Sequence, residues 1–172
     1  MTKSLILLRH AKSSWDQPSL DDFDRPLNQR GERAALLIGH FLRQESVAPD
    51  IVLCSAARRT RQTWEIIRPF LQPDTECLKS EAIYEADLDR LLEVLSDLDN
   101  ALGSVLMIGH NPGLERLASA LCHGRRGDEL ERLQQKFPTG GLAFIEVNIN
   151  LWSELAPATG ELIRFVTPKD LV

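Results

Sequence analysis

Two short apolar runs constrain the fold more than anything else in this chain. Leu5-Ile6-Leu7-Leu8 and Val105-Leu106-Met107-Ile108 contain no polar residue. A strand that alternates apolar and polar residues keeps one face in water, whereas an unbroken apolar strand must be covered on both faces. Each run then switches abruptly to polar chemistry, Arg9-His10-Ala11-Lys12 after the first and Gly109-His110-Asn111 after the second. A His at the carboxyl end of a buried strand lies on the rim of a sheet, where open α/β proteins build their sites. Two such ends, carrying two imidazoles and an arginine, read as one phosphate-handling site.

The rest of the chain alternates in the same style. Asn28 suits a helix cap, and Ala34, Leu37, Ile38, Phe41 and Leu42 repeat at helical spacing to about Glu45. A second strand follows at Ile51–Cys54, and a second helix from about Ala57 to Phe70, stopped by Pro73. Thr75 to Leu78 reads as a short strand, and Leu88, Leu91, Leu92 and Leu95 mark a third helix. Ser104 to Ile108 is the buried strand already noted, with a helix from Pro112 to about Leu121. Glu129 to Lys136 reads as a short helix. Gly141–Ile149 and Glu161–Val166 form an antiparallel strand pair about a Pro/Gly turn. The expectation is a three-layer α/β/α sandwich with a largely parallel central sheet and an antiparallel C-terminal pair. With 172 residues and no repeat or linker, residues 1–172 are expected to form a single domain without a large lid insertion.

The net charge of −5 argues against a nucleic-acid partner. No apolar run nears the ~18 residues of a membrane helix, and Leu5–Leu8 is too short for a signal-peptide core. A cytoplasmic protein with no membrane partner is expected. Cys54, Cys77 and Cys122 are odd in number and lack paired spacing, so they read as reduced, mostly buried thiols.

Three blocks carry a family resemblance. The first is Arg9-His10-Ala11-Lys12-Ser13-Ser14-Trp15, continued by Asp24-Arg25-Pro26-Leu27 and Gly31. The second is Ser55 to Thr63, with Arg59, Gln62 and Thr63. The third is Gly109-His110-Asn111-Pro112-Gly113-Leu114. Together with the closing Thr167-Pro168-Lys169-Asp170-Leu171, they resemble the histidine phosphatase superfamily of phosphoglycerate mutase-like fold. The Ala11 variant of its usual Arg-His-Gly resembles the SixA-type phosphohistidine phosphatase branch. The resemblance implies a metal-independent phosphatase, with no cofactor, that passes through a phosphohistidine enzyme intermediate. Its implied partner is a phosphorylated protein, such as a histidine phosphotransfer domain, or a small phosphorylated molecule.

The residue types suit that chemistry. A neutral imidazole is a competent nucleophile, and His10 is the candidate. Only one ring nitrogen can attack, so the other should donate to a carbonyl that holds the tautomer. Arg9 and Arg59 offer planar, permanently charged forks for phosphate oxygens, and His110 adds a donor. Arg59 is preferred to Arg58 and Arg61 because it lies four residues after Ser55, where the family block places its arginine. Ser13 can donate a hydroxyl to phosphate or serve a turn. Asp16 stands where family members often place Asn; an aspartate there repels phosphate, so it reads as a loop residue.

The general acid stays open between Glu81, Glu85 and none. Glu81-Ala82-Ile83-Tyr84 aligns with the Glu-x-x-Tyr segment that carries the acid in sugar-phosphate members. An imidazole leaving group has a pKa near 7 and needs less help than an alkoxide. The short stretch between Thr63 and His110 leaves no length for a lid, which suits a phosphate presented on a protein surface. A small-molecule phosphomonoesterase is the enzymatic alternative, and a non-catalytic phosphoprotein-binding module the alternative of another class. His40 reads as a residue of the polar helix edge. The loop His123 to Arg126 reads as a solvated turn or a border of the pocket. Trp15, Trp64 and Trp152 read as core or rim packing.

Overall fold

The computed structural model describes residues 2–172. Its six strands are β1 (Lys3–Arg9), β2 (Ile51–Ser55), β3 (Glu76–Ser80), β4 (Ser104–Gly109), β5 (Leu142–Val147) and β6 (Gly160–Val166). They form one sheet in the order β3-β2-β4-β1-β5-β6. The first four run parallel, whereas β5 pairs antiparallel with both β1 and β6. The helices are α1 (Gln29–Gln44), α2 (Arg58–Ile67), α3 (Leu88–Ser96), α4 (Gly113–Leu121) and α5 (Asp128–Gln135).

The unbroken apolar runs are covered on both faces, as their composition requires. Leu5, Leu7, Val105 and Met107 point into a core with Leu91 and Leu95 of α3, Leu114 and Leu117 of α4, and Leu133 of α5. Ile6, Leu8, Leu106 and Ile108 point the other way, against Ile38 and Leu42 of α1 and Trp64 and Ile67 of α2. The two-residue period of a strand thus feeds two separate cores, one on each side of the sheet. This is the three-layer sandwich expected from the sequence.

Local differences have local causes. The second helix ends as α-helix at Ile67, and Arg68–Phe70 forms a 3-10 turn. Pro69, rather than Pro73, ends the α-helix, because it brings no backbone N–H to the ladder. The third strand begins one residue and ends two residues later than the sequence suggests, at Glu76–Ser80, paired with Ile51–Ser55. It is an edge strand with an exposed Leu78, so hydrophobicity marks it poorly. Trp64 and Trp152 are buried, but Trp15 is 70% exposed. Arg25 stacks its guanidinium 3.5 Å from the Trp15 ring centroid. His40 is exposed and lies against the Phe70 ring.

Among the described residues, no helix is long and apolar enough to cross a membrane. All three thiols are free, with Cys54 and Cys122 buried and Cys77 half-buried.

Candidate active site

Sheet order decides which chain segments meet. β2, β4 and β1 are neighbours and parallel, with Arg9 paired to Gly109 and Cys54 to Ile108. Their carboxyl ends therefore lie side by side and deliver Ser55, His110, Arg9 and His10 to one rim. Arg59 reaches the same place from the first turn of α2, which leaves the end of β2. The three sequence blocks converge because their strands are adjacent in the sheet.

Hydrogen bonds set the state of each ring. His10 Nδ1 lies 2.7 Å from the Ala11 carbonyl oxygen, which only accepts. Nδ1 therefore carries the proton, and Nε2 keeps its lone pair. Arg59 Nε donates to that Nε2 at 3.3 Å. Arg59 Nη2 approaches His110 Nδ1 at 3.3 Å, and a guanidinium only donates. His110 Nδ1 is thus the acceptor, and its Nε2 donates to Ser55 Oγ at 2.7 Å. The two rings sit 5.3 Å apart between centroids.

Electrostatics agrees with neutral rings. Burial pushes the His10 pKa down to about 3, against the raising effect of the Ala11 carbonyl, with help from His110, Arg59 and Arg9. Burial also takes His110 to about 3, and Arg59 beside it adds to the shift. Burial and the Arg59 charge likewise lower the Arg9 pKa. Arg9 spends Nη1 on the Phe137 carbonyl at 2.9 Å, while its buried Nε has no hydrogen-bond partner among the described residues.

The scaffold around these groups comes from the same three blocks. The Ala11 N–H donates to Thr63 Oγ1 at 3.1 Å, and Thr63 donates in turn to the Arg59 carbonyl at 2.7 Å. Gln62 Oε1 accepts from the Leu27 N–H at 2.8 Å. Gln62 and Thr63 therefore latch the loop after His10 onto the helix that carries Arg59. Asn28 caps α1 by accepting from the Gly31 N–H at 2.8 Å. A Cβ at Gly31 would fall 2.0 Å from the Lys12 carbonyl oxygen, so only glycine lets α1 approach this loop.

Comparison with known proteins supplies the family and the fold. The model of the histidine phosphatase superfamily (branch 1) matches residues 5–92, just over half of the chain. An uncharacterized Mycobacterium tuberculosis protein, Rv1276c, is 34% identical over 164 residues, which cover 94% of this chain and all of that one. The chain belongs to the histidine phosphatase superfamily. Within it, the fold is that of the SixA-type branch. The structure of a proposed phosphohistidine phosphatase SixA from Nakamurella multipartitia superposes with a TM-score of 0.83 at 27% identity, covering 98% of this chain and 97% of that one. A second, from Agrobacterium tumefaciens, gives 0.81 at 30% identity, covering 96% and 98%.

In this histidine phosphatase, Asp22 is a site residue that the sequence reading passed over. Its carboxylate accepts from Arg59 Nη2 at 2.9 Å, Tyr84 Oη at 2.6 Å and Arg25 Nε at 3.0 Å. Its backbone carbonyl takes Arg59 Nη1 at 2.6 Å. Partial burial alone would raise the Asp22 pKa, but the Tyr84 hydrogen bond and the Arg59 and Arg25 contacts outweigh it and hold the value down to about 2. The same contact, with burial first, pushes Tyr84 up to about 12. One Asp among four in Asp16–Asp24 carries no distinguishing sequence signal.

The remaining candidates separate. Ser13 is buried, and its Oγ accepts from Arg25 Nη1 at 2.7 Å. Its role is thus joined to Arg25 rather than to a turn alone. Asp16 is exposed, and its N–H donates to Ser14 Oγ at 3.1 Å within the loop. Glu81 is exposed in the turn Glu81–Ile83 and does not line the cleft beside the site. Glu85 does line that cleft, of about 370 Å³, with Asp22, Arg59, His110 and Arg116. Tyr84, rather than Glu81, is the member of the Glu-x-x-Tyr segment that reaches the site. Arg58 is exposed and Arg61 donates to the Ala56 carbonyl at 2.9 Å, so neither joins the constellation. The loop His123–Arg126 follows α4, whose other end begins just after His110; nine helical residues span roughly 13 Å. The loop does not border the pocket.

Proposed function

We propose that the protein is a metal-independent phosphatase that removes phosphate from phosphohistidine on a signalling phosphotransfer protein. The observation that carries this reading is the state of His10: neutral, with Nδ1–H bound to a carbonyl and the Nε2 lone pair facing Arg59. His10 Nε2 attacks phosphorus as the substrate's P–N bond breaks, and the electron pair leaves on the substrate imidazole. Water then attacks phospho-His10, releasing phosphate and returning the Nε2 lone pair. Arg9 and Arg59 stabilise charge on the equatorial oxygens, a preorganised role of the kind that usually contributes most to phosphoryl transfer, and His110 joins them as a donor once the phosphoryl charge draws a proton onto its Nδ1.

Two further features support the protein substrate. From the end of α2 to β4, the chain builds only a 3-10 turn, the edge strand β3, the turn at Glu81–Ile83 and α3. That leaves little chain length for a lid, which supports an open site. Among the described residues no carboxylic acid is hydrogen-bonded to His10, and an imidazole leaving group tolerates that. The SixA-type relatives at 27% and 30% identity point the same way.

The deciding experiment is phosphate release with EDTA present, from a histidine-phosphorylated phosphotransfer domain and from an aryl phosphate, by the parent protein and His10→Ala. Release from the phosphoprotein that the variant abolishes is the expected result. Turnover of the aryl phosphate alone would replace this reading with a small-molecule phosphomonoesterase. Phosphate binding with no turnover would make the protein a binding module.

A further inference from the structure

Arg59 has almost no hydrogen-bonding capacity left. A guanidinium has five N–H donors. Nε is used on His10 Nε2, Nη1 on the Asp22 carbonyl, and Nη2 on both the Asp22 carboxylate and His110 Nδ1. A phosphate gripped by an arginine fork takes two parallel N–H bonds. Only one of the five is free.

Asp22 and Arg59 are not equally anchored. Arg59 rises from α2 with its side chain only 6% exposed, whereas the Asp22 side chain is 42% exposed in the 3-10 turn Asp22–Asp24. Asp22 also has a second cation to hold. Arg25, tied to Ser13 Oγ and the Ser14 carbonyl, donates Nε to the other carboxylate oxygen. A phosphate dianion and a carboxylate cannot share one donor at hydrogen-bond range without strong repulsion.

We propose that Asp22 is a built-in competitor for the phosphate site. Its carboxylate holds Arg59 and Tyr84 where phosphoryl oxygens bind, and it exchanges with them as substrate enters and phosphate leaves. The proposal rests on the phosphatase reading of Arg59. On substrate binding, Asp22 swings onto Arg25, and Arg59 Nη2 and the Tyr84 hydroxyl turn to the phosphoryl group. The Arg59 Nε–His10 contact breaks with it, which frees the nucleophile's lone pair. After hydrolysis the returning carboxylate displaces inorganic phosphate and limits product inhibition.

The test is binding of inorganic phosphate and orthovanadate by calorimetry to the parent protein, Asp22→Asn, Asp22→Ala and Arg59→Ala. Both Asp22 variants should bind phosphate about tenfold more tightly, the equivalent of one charge-assisted hydrogen bond removed from the competing state. Product inhibition should strengthen in parallel. Binding that is unchanged or weaker in both, with the parent binding intact and lost in Arg59→Ala, would overturn the proposal; Asp22 would then be a positioning residue and the phosphatase reading would stand. Phosphate binding indifferent to Arg59→Ala would overturn both. Asp22 is at the surface, and circular dichroism of the two variants separates misfolding from a change in affinity.

Discussion

Arg59 Nε lies 3.3 Å from His10 Nε2 and donates to it, joining residues 49 positions apart. A cation placed against a nucleophile's lone pair has two effects. It keeps the imidazole unprotonated, and it stands where the transferring group must be held. In the proposed phosphatase reaction this geometry couples activation of His10 to the binding of phosphate by Arg59.

Replacing Arg59 by Lys keeps the charge and loses the fork. A single ammonium cannot face His10, His110 and a phosphate oxygen from the fixed plane that Arg59 provides. Arg59→Lys should lower kcat/KM by about 10² to 10³, the scale of losing one preorganised donor. Steady-state kinetics with a phosphohistidine substrate measures it; a change of less than twofold would remove Arg59 from the chemistry.

Acid should weaken the fold before any carboxylate titrates far. His10 and His110 are held down to about 3 by burial, against 6.5 for the free group. Between those values the unfolded chain binds up to two more protons than the native one, so stability rises with pH across that window. The contribution is complete above the unfolded value and is lost as pH falls toward 3, at a slope of up to about 3 kcal/mol per pH unit. Urea midpoints should stay level from about pH 7.5 to about pH 6.5 and then fall toward about pH 4.5, with about half that slope in His10→Phe, which leaves His110 to titrate. A flat parent profile would show that the rings are not buried as neutral groups.

Gly31 sets the distance between α1 and the loop after His10. In Gly31→Ala the new methyl would meet the Lys12 carbonyl at 2.0 Å, against backbone that cannot rotate away. Destabilisation of about 1–3 kcal/mol is expected, in the range of overpacked cores. Activity should fall further than stability, because the displaced loop carries the carbonyl that fixes the His10 tautomer. Thermal melts and turnover of the same sample check both.

The two glutamates should behave differently with leaving group. Glu81→Gln should leave turnover of every substrate within about twofold, because the side chain faces solvent away from the cleft. Glu85→Gln should spare a phosphohistidine substrate and slow an alkyl phosphate about a hundredfold, the loss expected when an alkoxide leaves unprotonated. Equal loss on both substrates would make Glu85 structural.

Much of the site was visible in residue order because its main parts sit where elements begin and end. Arg9, His10 and His110 follow unbroken apolar runs, and Arg59 opens a helix after a third such run. Asp22 was not visible. It stands in a loop with three other aspartates, and its importance comes from contacts with Arg59, Tyr84 and Arg25, at separations of 37, 62 and 3 residues. Trp15 shows the converse: a large aromatic read as packing is 70% exposed, because its partner is a cation rather than a core.

Apolar patterning by itself determined the layered sandwich, since a strand without polar residues has no stable arrangement except between two covering layers. It determined also that the polar groups following β1 and β4 lie at strand ends. Only the tertiary structure decided that β2, β4 and β1 are neighbours, which makes three separate blocks one site. It also decided the tautomers of His10 and His110 and the engagement of Arg59 by Asp22. The reason is the range of the forces: solvent exclusion acts on each segment's own composition, whereas hydrogen bonds and ion pairs need atoms within about 3 Å, a distance that chain order does not encode.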